Sequence, residues 1–230
     1  MIRIENVEVA GWQAAIRGMR SPLNSWDKSD SSLWESSNRF EVGTNDLDLM
    51  KRLAANGAVH AKYRRMITVT CDIVAPLYWW KEFDTYKVGT VANSCSTMHK
   101  IHAKRFTIYD FSYEHLESYY LESLQGTIRM LNEAREMYLF AKEAKKPLVP
   151  PKDYWWQMIQ LLPSSYNQRR TVLMNYEVLA NIYRWRKDHK LDEWRELCKW
   201  IESLPYAEVI TGEREAGEPC RTEESGEEKS

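Results

Sequence analysis

Three places in the chain combine residue types that could do chemistry. The first is the stretch APLYWWKEFDTYKVGTVANSCSTMHK, residues 75–100. There Lys81, Lys87 and Lys100 offer positive charge, Gly89 permits close backbone approach, and Thr90, Asn93, Ser94 and Ser96 supply short donors and acceptors. That set suits a phosphate or the polar edge of a ring. The second is His60, between a helix end and a strand, where sites are commonly assembled. The third is the segment carrying Asn175, Asn181, Arg184 and Arg186. Read as one helix, it turns Asn175 and Asn181 about 120° apart, close enough to flank a ligand edge. His99 and His102 have i, i+3 spacing but no carboxylate companion, so no metal site is expected there. The chain contains no P-loop, GxGxxG, GxSxG or HExxH pattern.

The elements that must position these residues follow from periodicity and punctuation. Residues 1–10 alternate as a strand, and AGWQAAIRGMR reads as a helix stopped by Ser21-Pro22. NDLDLMKRLAANG has a capping Asn or Asp at its start and Gly57 at its end. MITVTCDIVAP is a β-branched run, expected to be a buried strand. Residues 112–145 carry Leu116, Tyr120, Leu124, Ile128 and Leu131 at helical spacing, and KKPLVPPKD breaks that helix. A further helix is expected from near Asp153 to Leu162. NQRRTVLMNYEVLANIYRWRKDHK is expected to be one long helix, with Met174, Val178 and Ile182 on a common face, and a last helix covers about 191–203. The predicted fold class is α/β (α+β), central strands with long flanking helices and a helix-rich C-terminal half.

Composition sets outer bounds. The chain has 230 residues, 43% hydrophobic and 28% charged, with a formal net charge of −1. No overall basic field would gather nucleic acid or an anionic membrane, and no apolar run is long enough to span a bilayer. Cys71, Cys95, Cys198 and Cys220 lack CxxC spacing and are expected to be free thiols in a reducing cytoplasm. The 10 Trp and 13 Tyr are mostly core, with some left to line a flat-ligand pocket or an interface. One domain is expected over 1–205. Residues 206–230, acidic and nearly without apolar side chains, are expected to form a disordered tail.

Taken together, the three places resemble the flavin-dependent thymidylate synthases. In that family a His near a helix end precedes a strand ending Ala-Pro-Ile-Phe-Val, then Arg-Gln and the signature R-H-R-x2-S-x-N-x2-S-x-R. This chain has His60, then Ala75-Pro76-Leu77-Tyr78-Trp79, Lys81-Glu82, and a signature region from Thr85 to Met98. Pro163, Asn175, Asn181 and Arg186 fall at the intervals of the family's Leu-Pro, Asn, Asn and Arg. LDEWREL and WQAAIRGMR are weaker echoes of two further family helices. The resemblance covers residues 1–205. It implies a cytoplasmic homotetramer with sites between subunits, using FAD, deoxyuridine monophosphate (dUMP) and methylenetetrahydrofolate. It further implies FAD contacts from His60, Lys87, Asn93, Asn175 and Asn181, and nucleotide contacts from Glu82, Ser96 and Arg186. Arg186 and Ser96 would act in catalysis. Thr85, Tyr86, Met98 and Ile159 stand where the family has Arg, His, Arg and Arg, removing cationic contacts to phosphate; Trp79, Trp80 and Tyr86 are then expected to stack on a base or flavin. The alternative is a non-catalytic homologue that keeps the fold as a binding or regulatory module.

Overall fold

The computed structural model describes residues 2–34 and 39–212. Its strands are β1 (Arg3–Ala10), β2 (Ser32–Trp34), β3 (Arg39–Glu41), β4 (Thr68–Pro76), β5 (Val91–Ser94) and β6 (Asn167–Asn175). The helices are α1 (Trp12–Arg20), α2 (Thr44–Ala55), α3 (Leu77–Phe83), α4 (Thr97–Lys100), α5 (Ser118–Glu143), α6 (Pro151–Leu161), α7 (Tyr176–Arg186), α8 (Asp192–Glu202) and α9 (Glu208–Thr211). One sheet has the order β1-β4-β6-β5, and β2 and β3 form a separate antiparallel pair. This is the α/β class expected, with long helices following the strands in the C-terminal half.

Two expectations are corrected. NQRRTVLMN is a strand, not the start of a helix. Its side chains alternate, with Gln168, Val172 and Met174 buried and Arg169, Thr171 and Leu173 exposed, and β5 pairs with it antiparallel, Ser94 opposite Arg170. The i, i+4 pattern of Met174, Val178 and Ile182 therefore joins a strand residue to two helix residues, a coincidence of spacing. The ordered chain also runs past residue 205: Ala207, Val209 and Ile210 are buried around α9. The remainder of the expected tail lies outside the described residues.

The chain divides into two compact units. The first takes in the N-terminal residues to Glu8, Thr70–Met174 and Lys190–Leu197; the second takes in Val9–Val69, Asn175–His189 and the chain from Cys198 on. In the first, α5 packs along α6. Leu124, Ile128 and Leu131 of α5 and Met158 of α6 close over Ile101, Phe106 and Phe111. Asn132, buried among them, brackets the backbone of Phe106, accepting from its N–H and donating to its carbonyl, each at 2.9 Å. A buried amide is tolerated because both its polar ends are matched.

In the second unit Trp12 meets the edges of Tyr176 and Tyr206 at 5.3 and 5.0 Å. The Tyr176 hydroxyl donates to the Pro205 carbonyl at 2.6 Å, and Val42 N–H donates to the Tyr206 hydroxyl at 3.0 Å. Gly11, at φ +95°, precedes α1; a Cβ there would lie 2.0 Å from the Met66 carbonyl oxygen. Only glycine fits both that conformation and that approach. Deeper in the unit, Arg20 donates to Asp46 at 2.5 Å, and Ser29 and Ser31 each donate to the other carboxylate oxygen at 2.6 Å. Burial pushes the Asp46 carboxyl upward, but these three donors outweigh it and hold the group below the usual carboxylate range.

Candidate functional site

Pro76 ends β4, and the chain turns at once into α3. The first free amides of that helix are taken by the first unit itself: Leu77 N–H donates to Tyr166 O and Tyr78 N–H to Ser164 O, both at 3.0 Å. The consequence for the rings is decisive. Trp79 and Trp80 are wholly buried. Trp79 packs 5.0 Å from Phe83 and 4.9 Å from Trp194, and the Trp80 indole donates to Gln168 O at 2.9 Å. Tyr86 leans on Trp194 at 5.8 Å. Arg170, from β6, stands 4.2 Å over the Trp80 ring and pairs with Asp84 at 2.6 Å. Trp79 and Trp80 therefore cannot stack on a base or flavin; they are core. Glu82, half-buried, accepts the Trp194 indole N–H at 2.9 Å. Nearby the Tyr78 hydroxyl donates to buried Glu193. Burial first, then the Glu193 carboxylate, pushes that phenol far above its ordinary range.

Beyond α3 the stretch opens. Lys87 and Gly89 are exposed, and every residue of β5 faces solvent, including Asn93, which lies opposite Thr171 of β6. The Ser96 hydroxyl accepts His99 N–H at 3.1 Å and caps α4. Ser96 also lines a cleft of about 360 Å³ in the first unit, with Lys100, Lys104, Tyr109, Tyr166 and Arg169. Three of its cations are already engaged, Arg3 among them through Glu5 at 2.9 Å. Arg169 pairs with Asp72 at 2.6 Å and Glu5 at 3.5 Å, and Lys104 with Asp110. Of the expected site residues in this unit, Ser96 lines the cleft, whereas Glu82, Lys87 and Asn93 do not. Arg169 went unnoticed in the sequence because its strand was read as helix; Lys104 was legible in the basic run HKIHAKR, residues 99–105. The exposed thiol of Cys95 also borders the cleft, and Cys71, Cys95 and Cys198 are all free.

In the second unit, Asn175 does not lie on the helix. It ends β6 and caps α7, its Oδ1 accepting Val178 N–H at 2.9 Å. The expected 120° relation between Asn175 and Asn181 is void for that reason. Asn181 and Arg186 are both on α7, and five residues of helix turn them about 140° apart. Asn181 is exposed and shares the outward face with Arg184 and Trp185, whose ring is 67% exposed. Arg186 is half-buried. At the start of α7, Glu177 stands 3.8 Å from Arg64, a wholly buried guanidinium whose pKa is lowered mainly by that burial. His60 is exposed, in the turn after α2, its N–H donating to Gly57 O at 3.0 Å. The outward face of α7 thus offers an amide, a guanidinium and an indole plane, a set that suits a flat heteroaromatic ring rich in acceptors.

No protein-family model and no curated protein matches the chain. Solved structures do. Thymidylate synthase X from Helicobacter pylori, solved with FAD and dUMP, superposes with a TM-score of 0.62 at 16% identity, over 92% of this chain and 97% of that one. A second structure of the flavin-dependent enzyme from that organism, also complexed with FAD and dUMP, gives 0.61 at 16% identity, over 91% and 97%. The UMP/dUMP methylase PolB from Streptomyces cacaoi, bound with 5-Br dUMP, gives 0.57 at 12% identity, over 92% and 95%. The fold is therefore of the flavin-dependent thymidylate synthase type. No helix among the described residues is long and apolar enough to cross a membrane.

Proposed function

We propose that the chain is a divergent flavin-dependent enzyme that binds FAD and reductively methylates dUMP or a related pyrimidine nucleotide, with methylenetetrahydrofolate as the carbon source. One observation carries this reading: the fold likeness extends over more than nine-tenths of both chains, for neighbours described with FAD and dUMP or with a brominated dUMP. The donor set of the second unit fits a flavin. Asn181 presents an amide that both donates and accepts, His60 an exposed imidazole, and Asn175 keeps its Nδ2 donor after its Oδ1 is used in capping. Arg186 is assigned to the pyrimidine carbonyl, where a guanidinium can donate in parallel to an oxygen and its neighbour. Ser96 is assigned to the nucleotide, and Lys87 and Asn93, both exposed, to phosphate oxygens of either ligand. Bound FAD, once reduced by a nicotinamide cofactor, would supply the hydride; the chain's own part is to orient the rings and to stabilise charge on the pyrimidine. Assembly as a homotetramer with sites between subunits belongs to the same proposal.

The test is an absorbance titration of the full chain with FAD, followed by dUMP. Expected is FAD binding with a dissociation constant on the order of 10 μM and a spectral change on adding nucleotide. FAD failing to bind at several times that concentration would sink the enzyme reading. A non-catalytic homologue is the second reading, favoured by a specific observation: Tyr86 and Glu82, at two positions of the family's motifs, both contact Trp194, one with its ring and one with its carboxylate. FAD binding without turnover would select it.

A further inference from the structure

The inward stripe of α5 changes character along its length. Steps of four and three residues give Leu124, Ile128 and Leu131, then Arg135, Tyr138 and Lys142. All six lie on one face of the helix. The first three fill the core. Arg135 and Tyr138 meet the segment after α4: His102 packs its ring 4.6 Å from Tyr138, and Arg135 Nε donates to His102 O at 2.9 Å, while Lys142 stands 5.9 Å from the centroid of the Tyr138 ring. Lys100, two residues before His102, adds a third cation. Among the described residues no carboxylate pairs with Lys100, Arg135 or Lys142, although Glu133, Glu136 and Glu143 lie on the same helix and Glu136 pairs with Arg105. The Nδ1 atom of His102 is buried and has no hydrogen-bond partner.

Like charges gathered without a counter-charge repel one another and weaken the fold. A helix C-terminus favours cations and accounts for Lys142 in its last turn, but Arg135 lies two turns earlier. Burial first, and then Lys142, Lys100 and Arg135, hold the His102 imidazole below its ordinary range.

We infer that Lys100, Arg135 and Lys142, gathered around the His102–Tyr138 ring pair, form an anion site for the phosphoryl group of a small phosphorylated molecule. Exposed Lys100 and Lys142, with the guanidinium N–H groups that Arg135 keeps after its Nε donates to His102 O, can donate to the several oxygens of a phosphate, and His102, once protonated, adds a further positive charge. Of the three cations only Lys100 also lines the cleft that holds Ser96, assigned above to the nucleotide; Arg135 and Lys142 are not part of that lining. Pyrophosphate binding is therefore expected to persist with dUMP present, carried by Arg135 and Lys142.

The test uses the full chain at constant ionic strength, since exposed charges are screened by salt. Pyrophosphate is titrated by calorimetry, and the His102 ring is followed by NMR as a function of pH. Expected is binding in the range of about 0.1–1 mM, with the His102 titration midpoint moving upward, because a bound anion favours the imidazolium. Lys142→Gln, in the exposed last turn, is expected to weaken binding about five- to tenfold and to raise the midpoint of the free protein; Lys199→Gln on α8 should change neither. Saturating dUMP should leave pyrophosphate binding intact. Absence of binding at about 10 mM, binding indifferent to Lys142→Gln, equal binding of citrate, or displacement by dUMP would each overturn the assignment.

Discussion

Two tryptophan-bearing stretches, one in each unit, use the same side chain in opposite ways. In α3 the rings of Trp79 and Trp80 are 0% exposed and interlock with Phe83 and Trp194. On α7 the ring of Trp185 is 67% exposed, beside Asn181 and Arg184. The difference comes from what each helix packs against. Short α3 follows a buried strand directly, with two of its amides tied to Ser164 and Tyr166, so successive residues on most of its circumference meet protein. Helix α7 buries Tyr176, Val178, Leu179, Ala180 and Ile182 and leaves Asn181, Arg184 and Trp185 to solvent. A ring-rich sequence is thus no guide to a ring-binding site. The stretch 75–100, the most conspicuous in the chain, spends its aromatics on itself.

Substitutions can break or sharpen this contrast. Trp79→Ala should cost about 3–5 kcal/mol in chemical denaturation, because the cavity it leaves is lined by three other rings; a loss below about 1 kcal/mol would mean that the cluster is not the packed core described. Trp194→Phe keeps most of the ring area but removes the N–H that Glu82 accepts, and about 1–3 kcal/mol should be lost. Asn175→Ala removes the cap of α7, worth about 1 kcal/mol. Trp185→Ala should shift stability by less than about 0.5 kcal/mol, as expected at an exposed site. If the outward face of α7 receives the flavin ring, the same change should lower FAD affinity about fivefold, read in the absorbance titration.

Much of the secondary structure was legible. The β-branched run of β4, the Pro-interrupted end of α5 and the apolar stripes of α2 and α5 all follow from local spacing. Strand β6 was not. Its inward positions are Gln168, Arg170, Val172 and Met174, and the first two are polar. They can point inward because Gln168 donates to Cys95 O at 3.0 Å and accepts from Arg170 at 2.9 Å, while Arg170 also has the Trp80 ring and Asp84. Apart from the Gln168–Arg170 contact, those partners are 73, 90 and 86 residues away in the chain, and no local pattern reveals them. Missing that strand hid Arg169 from the cleft and misplaced Asn175 on a helix. Residues 207–210 were missed for a similar reason: three small or medium apolar side chains look negligible until a preformed unit buries them.

By itself the sequence determined the α/β class, the order of most elements, and the spacing of groups that resembles one enzyme family. Those properties are local, or are carried by intervals along the chain. Tertiary structure alone decided which polar groups are already engaged and which rings face water. Glu82 and Arg169 look available in the sequence but are held by Trp194 and Asp72; Arg135 looks like an ordinary solvated charge but donates to His102 O, and Lys142 stands 5.9 Å over the Tyr138 ring. Charge and ring chemistry acts through distance, and distance between residues far apart in sequence is set only when the chain has packed.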